Sequence, residues 1–246
     1  NCKSEFFNSL YNHFDSVKND RWSYDPAMHT KSLTGFNGLR NLGATCYMNS
    51  VFQQLFFNNE FTRNVLRSRY QEDCLIELRA MFVRMMKSVR GVVDTSAFVQ
   101  NWKPNNVPVN PREQQDACEF LLLLLDKLHD DLYKGEQVAI NEGENNEYKS
   151  ESIEPFWTLT LEVKGRSSFE DSFSSYLQKI SVSGYFAESL NRKINILRYF
   201  RIKKVPKFLI VQLNRFEYDI VTWKKVKIND KFEFPLEFDL MPQLIK

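Results

Sequence analysis

With 246 residues, 43% hydrophobic content and 14% aromatics, the chain carries enough apolar side chain for one large domain or two small ones, which excludes the disordered class. A net charge of +2, with no basic tract and no interleaving of aromatic and basic residues, excludes nucleic acid as the expected partner. The longest apolar run, Phe120–Leu125, is far too short to cross a bilayer, and the scattered Cys2, Cys46, Cys74 and Cys118 suit a reducing, intracellular compartment.

Residues 1–34 read as an N-terminal extension. A short helix would put Phe6, Phe7, Leu10, Tyr11 and Phe14 on one face, before an extended docked segment around Trp22 and Tyr24–Ala27. From Cys46 onward, Met48, Val51, Phe52, Leu55 and Phe56 recur at helical spacing. A further helix is predicted over Glu72–Val89 on the stripe Leu75, Leu78, Met81, Phe82, Met85 and Val89, whose methionines read as gap-filling core. Thr95 can cap a short turn holding Phe98 and Trp102, and Lys103–Pro111, with three Pro and three Asn, is a loop by composition.

A long helix is predicted over Glu113–Tyr133. Ala117, Phe120, Leu121, Leu124, Leu128 and Leu132 form its buried face, and Asp116, Glu119 and Asp130 lie on another. After Gly135 the pattern turns to β. Leu159, Leu161 and Val163 alternate with Thr158, Thr160 and Glu162, and Trp157 shares the inward side. Ser168 is placed to cap a helix carrying Phe169, Phe173, Tyr176, Leu177 and Ile180. Ile194–Val205, Pro206–Tyr218 and Trp223–Phe234 read as successive strands, giving an α+β chain with a helical lobe followed by a sheet lobe.

The densest chemistry lies in Asn41–Ser50, NLGATCYMNS, which sets a cysteine at the mouth of a helix after a glycine-bearing turn. There, unpaired backbone N–H groups and the positive end of the helix dipole favour a thiolate and make Cys46 a usable nucleophile. A small buried hydrophobe that opens a core helix fits the same spacing. Asn41 similarly admits two roles, a neutral donor to an oxyanion or a turn residue bonded to its own loop. Asn49 and Ser50 read as packing and capping residues. Asp116 and Glu119, at i and i+3, are ordinary helix-start acids or a joint receptor for a basic extended peptide.

Four blocks carry a resemblance. Gly35–Ser50 (GFNGLRNLGATCYMNS) is similar to the cysteine box of the ubiquitin-specific proteases. Glu113–Leu121 resembles their QQDAxEFL signature, Phe208–Asp219 (FLIVQLNRFEYD) their palm strand, and Ile228–Pro235 (INDKFEFP) the strand that follows. The blocks keep the family's order from Gly35 to about Asp239. The resemblance implies a papain-like α+β cysteine peptidase of the thumb–palm–fingers type with an antiparallel sheet lobe, incomplete at its C-terminus. It divides the chain into an extension (1–34), a helical thumb (35–135) and fingers with part of the palm (136–246).

The same resemblance implies hydrolysis of isopeptide or peptide bonds at the C-terminal glycine of ubiquitin. Cys46 would be the nucleophile and Asn41 the oxyanion donor, while Gln114, Asp116, Glu119 and Phe216 would receive the ubiquitin tail. A ubiquitin-like modifier with a similar tail, in place of ubiquitin, is the alternative substrate, and oxidation of Cys46 would switch the peptidase off. Ubiquitin and ubiquitinated proteins are the implied partners, with no nucleic acid, no membrane insertion and no cofactor.

The family's base is a histidine with a Gly-His-Tyr core, several dozen residues beyond the fourth block. Here His13 and His29 precede the cysteine box, and His129 reads as a solvated surface residue. The chain starts at Asn1 and stops at Lys246, so the expectation is a fragment of a larger deubiquitinase. The alternative is a ubiquitin-binding pseudoenzyme or scaffold on the same fold. Most relatives also hold a structural zinc through two Cys-x-x-Cys pairs. Aligned on Tyr148 and Tyr185, those positions are Asn141, Glu144, Ala187 and Leu190 here, so no zinc is expected. The junction Gly135–Ile140 is also shorter than in relatives, through either a deletion or missing residues.

Overall fold

A computed structural model describes residues 30–31, 34–129 and 131–240. The two elements expected before Thr30 and the side chain of Asp130 lie outside the described residues. The chain divides into two compact units, residues 1–120 and 121–246.

In the first unit, a parallel pair of short strands, β1 (Gly38–Leu39) and β2 (Val92–Val93), lies beside helices α1 (Cys46–Phe57), α2 (Asn59–Arg67), α3 (Asp73–Lys87) and α4 (Ser96–Asn101). The apolar spacing after Cys46 does form α1, with Tyr47, Met48, Val51, Phe52 and Leu55 buried. Asn58 ends it: its extended backbone breaks the helix, and its side chain then accepts from the N–H groups of Glu60 and Phe61 to start α2. Phe52 packs edge-on against Phe98 (4.8 Å) and Phe120 (5.4 Å), and Trp102 lies against Phe120 at 5.2 Å. Such rings each bury a large apolar area and add roughly 1 kcal/mol per pair through their edge-to-face geometry.

Two helix boundaries differ from expectation. α3 ends at Lys87, so Val89 leaves the stripe and is 75% exposed. Its carbonyl instead accepts from Lys31 N (2.7 Å), beside an isolated Thr30–Arg90 bridge. Helix α5 spans Ala117–Leu128 rather than Glu113–Tyr133. Asp116 stops it at the front by taking the N–H groups of Cys118 (2.7 Å) and Glu119 (3.2 Å) on its side chain. At the back, His129 turns left-handed with φ 49°.

The second unit is mixed α/β. An antiparallel sheet runs in the order β4–β3–β7–β6, from β3 (Gly135–Gly143), β4 (Lys149–Phe156), β6 (Ile180–Ala187) and β7 (Arg192–Lys204). β3 pairs with β4 from Gly135 itself, so the short junction is a continuous strand. A Cβ at Gly135 would stand 2.3 Å from the Phe156 ring, so a larger residue there would require that ring to move. Helix α6 (Phe169–Tyr176) is capped by Ser168, whose hydroxyl accepts from Asp171 N at 3.2 Å. Ile180, expected on that helix, opens β6 and is exposed.

The stretch Pro206–Tyr218 makes two strands, β8 (Ile210–Asn214) and β9 (Phe216–Asp219), and β10 (Lys224–Lys227) pairs antiparallel with β9. β8 pairs parallel with β5 (Thr158–Glu162), Leu161 facing Leu213. The intervening α6, β6 and β7 supply the long crossover that a parallel pair requires. Phe156, Leu159, Leu161, Phe173, Leu177 and Ile202 form one buried cluster of this unit.

Candidate active site

Asn41 organises the turn before α1. Its carboxamide oxygen accepts from Gly43 N (3.1 Å), Thr45 N (3.0 Å) and the Thr45 hydroxyl (3.2 Å). Thr45 is only 1% exposed, and its hydroxyl oxygen also accepts from Leu42 N at 3.1 Å. The oxygen of Asn41 is thereby engaged by the turn, and its Nδ2 has no acceptor among the described residues. The turn role expected as one alternative for Asn41 is therefore present, and it orients the amide that the other alternative needs.

The segment is also clamped from behind. Arg40 O accepts from the Thr95 hydroxyl (3.1 Å) and from Asn49 Nδ2 (3.2 Å), so Thr95 does not cap α4 as expected but anchors the cysteine turn. Asp94 Oδ1 takes Ser96 N at 2.7 Å instead. Side-chain and backbone hydrogen bonds from Ser96, with the Arg40 guanidinium behind them, hold the Asp94 carboxyl below the usual carboxylate range. Asn49 and Ser50 were expected as packing and capping residues; Asn49 Nδ2 ties α1 to Arg40 O, whereas Ser50 donates back to Tyr47 O at 2.8 Å within α1 and caps no helix end.

Cys46 opens α1 as an exposed thiol outside any disulfide. Thr45 makes no side-chain cap bond to the first turn, and no acid sits in that turn. The leading N–H groups therefore remain available to a developing anion. The neighbouring loop reaches the thiol closely: Ala44 N donates to Pro111 O at 2.7 Å, and Gln114 Nε2 lies 3.7 Å from Cys46 Sγ. Gly43, at φ 134°, permits this approach, since a Cβ there would stand 3.1 Å from Pro111 O. Burial first, then the Asp116 carboxylate, pushes the Cys118 thiol up and keeps it protonated.

The expected tail-binding residues fall in both units. Gln114 and Asp116 are exposed on the segment that leads into α5, with Asp116 serving as its N-cap, and Glu119 is exposed in the first turn of that helix. Phe216 belongs to β9 in the second unit, 51% exposed, with Lys225 Nζ 5.1 Å over its ring. Among the described residues no histidine hydrogen-bonds to Cys46; His129 is exposed at the end of α5. Sequence reasoning missed Thr45 and Thr95 as supports of the turn. An Asn followed four residues later by a Thr is the pattern that could have exposed the first; nothing local marks the second.

At the end of the four-stranded sheet, the positions that align with a zinc site do not fit a metal. Ala187, Ile194 and Ile196 are buried together, with Leu190, Tyr148, Val182 and Tyr185 packed on them. Asn141 accepts from Arg198 Nε at 2.7 Å, and Glu144 accepts from Ser181 at 3.4 Å. Two of the four positions are apolar side chains in a small core, and a third is engaged by a guanidinium. Among the described residues no cluster of His, Cys, Asp and Glu is placed to hold a metal, and no helix is long and apolar enough to cross a membrane.

An exposed thiol at an uncapped helix start, with the Gln114 carboxamide 3.7 Å from its sulfur, is an arrangement suited to a thiol nucleophile. The sequence places it further: residues 37–246 match the family model described as ubiquitin carboxyl-terminal hydrolase, and the chain belongs to that family. It is 33% identical over 236 residues to ubiquitin carboxyl-terminal hydrolase 15 of Schizosaccharomyces pombe, covering 88% of this chain and 20% of that protein. It is 28% identical over 248 residues to ubiquitin carboxyl-terminal hydrolase 34 of Homo sapiens, covering 94% and 7%. A third relative is ubiquitin carboxyl-terminal hydrolase 9Y of Homo sapiens, 26% identical over 288 residues, covering 91% and 11%. The chain thus spans a fifth or less of the length of these relatives.

Proposed function

We propose that this protein is a deubiquitinase that hydrolyses the isopeptide or peptide bond after the C-terminal glycine of ubiquitin. The observation that carries this reading is the exposed Cys46 thiol at the uncapped start of α1, in a chain of the ubiquitin carboxyl-terminal hydrolase family. The Cys46 thiolate adds to the glycine carbonyl carbon, and the π pair moves onto oxygen. N–H groups of the first turn of α1 and Asn41 Nδ2 stabilise that oxyanion. Collapse breaks the C–N bond, and the amine leaves with a proton to give a thioester that water resolves. A base of the histidine class, which the family resemblance implies, takes the thiol proton and returns it to the amine; no described residue fills that part.

In this reading Asp116 and Glu119 receive the basic ubiquitin tail, with Gln114 and Phe216 as further contacts to it. Asp116 can do this while capping α5, because only its Oδ1 is engaged. The helical thumb (35–135) and the fingers with part of the palm (136–246) supply the layout. The partners are ubiquitin and ubiquitinated proteins in an intracellular setting, with no cofactor.

Release of a fluorophore from the ubiquitin C-terminus tests the proposal. Turnover is expected to fall at least about 1000-fold in Cys46→Ala. Turnover that survives this substitution would refute Cys46 as nucleophile. Bound ubiquitin without any turnover in the full-length protein would favour the scaffold reading.

A further inference from the structure

Among the described residues, a hydrogen bond to the Cys46 sulfur comes from Gln114. We propose that Gln114 is a catalytic residue. Its carboxamide N–H donates to Cys46 Sγ in the free protein and then to the oxygen of the tetrahedral adduct, rather than serving only to bind the incoming peptide. For its substrate the inference rests on the deubiquitinase reading; for its first half, donation to sulfur, it does not.

Three observations carry it. Gln114 Nε2 stands 3.7 Å from Sγ, within hydrogen-bond reach of sulfur, and among the described residues it has no other acceptor. The loop that presents it is fixed at both ends. Ala44 N donates to Pro111 O at 2.7 Å on one side, and Asp116 caps α5 through Cys118 N at 2.7 Å on the other. Just before Pro111, Asn110 accepts from Arg112 N (3.1 Å) and donates to Glu113 (2.9 Å), which holds the turn that leads to Gln114. The close approach of this loop to the cysteine turn depends on Gly43, where a Cβ would press on Pro111 O at 3.1 Å.

The chemistry follows from that position. A neutral N–H donor at sulfur favours the thiolate over the thiol, because a hydrogen bond to an ionised acceptor is roughly twice as strong as one to a neutral acceptor. When the thiolate adds to the carbonyl, one S–C bond forms and the π pair becomes a lone pair on oxygen; no proton moves in this step. The oxygen now lies one bond beyond the carbon that sulfur has joined. A small rotation of the Gln114 side chain brings its N–H to the ~3 Å that oxyanion stabilisation requires. Asn41 complements it, since its oxygen is engaged by Gly43 and Thr45 while its Nδ2 remains a donor without an acceptor among the described residues.

Gln114→Glu separates the two roles by sign. A carboxylate retains the size of the amide and would improve capture of a basic tail, but it cannot donate and places negative charge beside the sulfur. The full-length protein and its Gln114→Glu and Gln114→Leu variants are assayed for ubiquitin–fluorophore turnover. They are also assayed, without ubiquitin, for alkylation of Cys46 by iodoacetamide at neutral pH, with thermal melts as the folding check.

Both variants are expected to lose about 100-fold in kcat with KM within about twofold of the parent. Cys46 alkylation should slow roughly five- to tenfold. A rise in KM in Gln114→Leu with kcat and alkylation unchanged would overturn the inference and return Gln114 to peptide binding. If the parent shows no turnover at all, the deubiquitinase reading fails by itself, and the alkylation rates still decide whether Gln114 donates to the sulfur.

Discussion

The turn carrying Cys46 is held by a lattice of hydrogen bonds around an exposed thiol, whereas the end of the four-stranded sheet is held by Ala187, Ile194 and Ile196 buried against one another. The difference follows from what each region must do. A nucleophile has to remain reachable, so its support cannot come from covering it with apolar side chains. Hydrogen bonds to Asn41, Thr45 and Arg40 instead fix direction while leaving the sulfur open. The sheet end has no reacting atom to orient and needs only proximity, which apolar burial supplies without directional bonds. It is also where Ala and Leu stand at positions that align with metal-binding thiolates.

The sharpest way to break the comparison is at Thr45. Thr45→Val preserves the shape of the side chain but removes the hydroxyl that fixes the Asn41 amide. We expect kcat to fall by about 100-fold, with Thr45→Ser restoring most of it. A stability loss of about 1–2 kcal/mol should accompany it, because Leu42 N–H and Asn41 each lose a partner. Unchanged turnover per folded molecule would make the lattice structural only.

At the sheet end, Ile196→Ala should cost roughly 2–4 kcal/mol in denaturant unfolding. The rate of Cys46 alkylation should stay at the parent value, and a slower rate would show that the two regions are not independent supports. Asp94 gives a smaller effect, and one that depends on pH. Its carboxyl is depressed in the folded state by Ser96 and Arg40, so its contribution is present above the unfolded value and lost as pH falls through the folded one. The difference in Tm between the parent and Asp94→Asn should therefore be steady near neutral pH and vanish in acid; a difference that grows in acid would reverse the assignment. Last comes an expected null. Treatment with a strong chelator should leave Tm unchanged, and one equivalent of zinc found in the purified protein would contradict the apolar account of the sheet end.

Much of this was legible along the chain. The spacing after Cys46 determined α1, Ser168 determined the start of α6, and the four sequence blocks determined the family. The Ala and Leu at positions 187 and 190 also stood in the sequence as residues unable to ligate a metal. In each case the information is local: side-chain periodicity, a capping oxygen beside its own helix, or a contiguous motif. Asp116 shortened α5 by local capping too, one carboxylate taking two N–H groups that a helix pattern assigns to the interior. Two things were decided only by tertiary structure. The parallel pairing of β5 with β8 depended on a crossover through α6, β6 and β7. Thr95 and Gln114 reached the cysteine turn from residues far along the chain, to Arg40 O and Cys46 Sγ. Hydrogen bonds and pairings of this kind leave no periodic trace, because the partners are brought together by the packing of other elements and not by their own spacing.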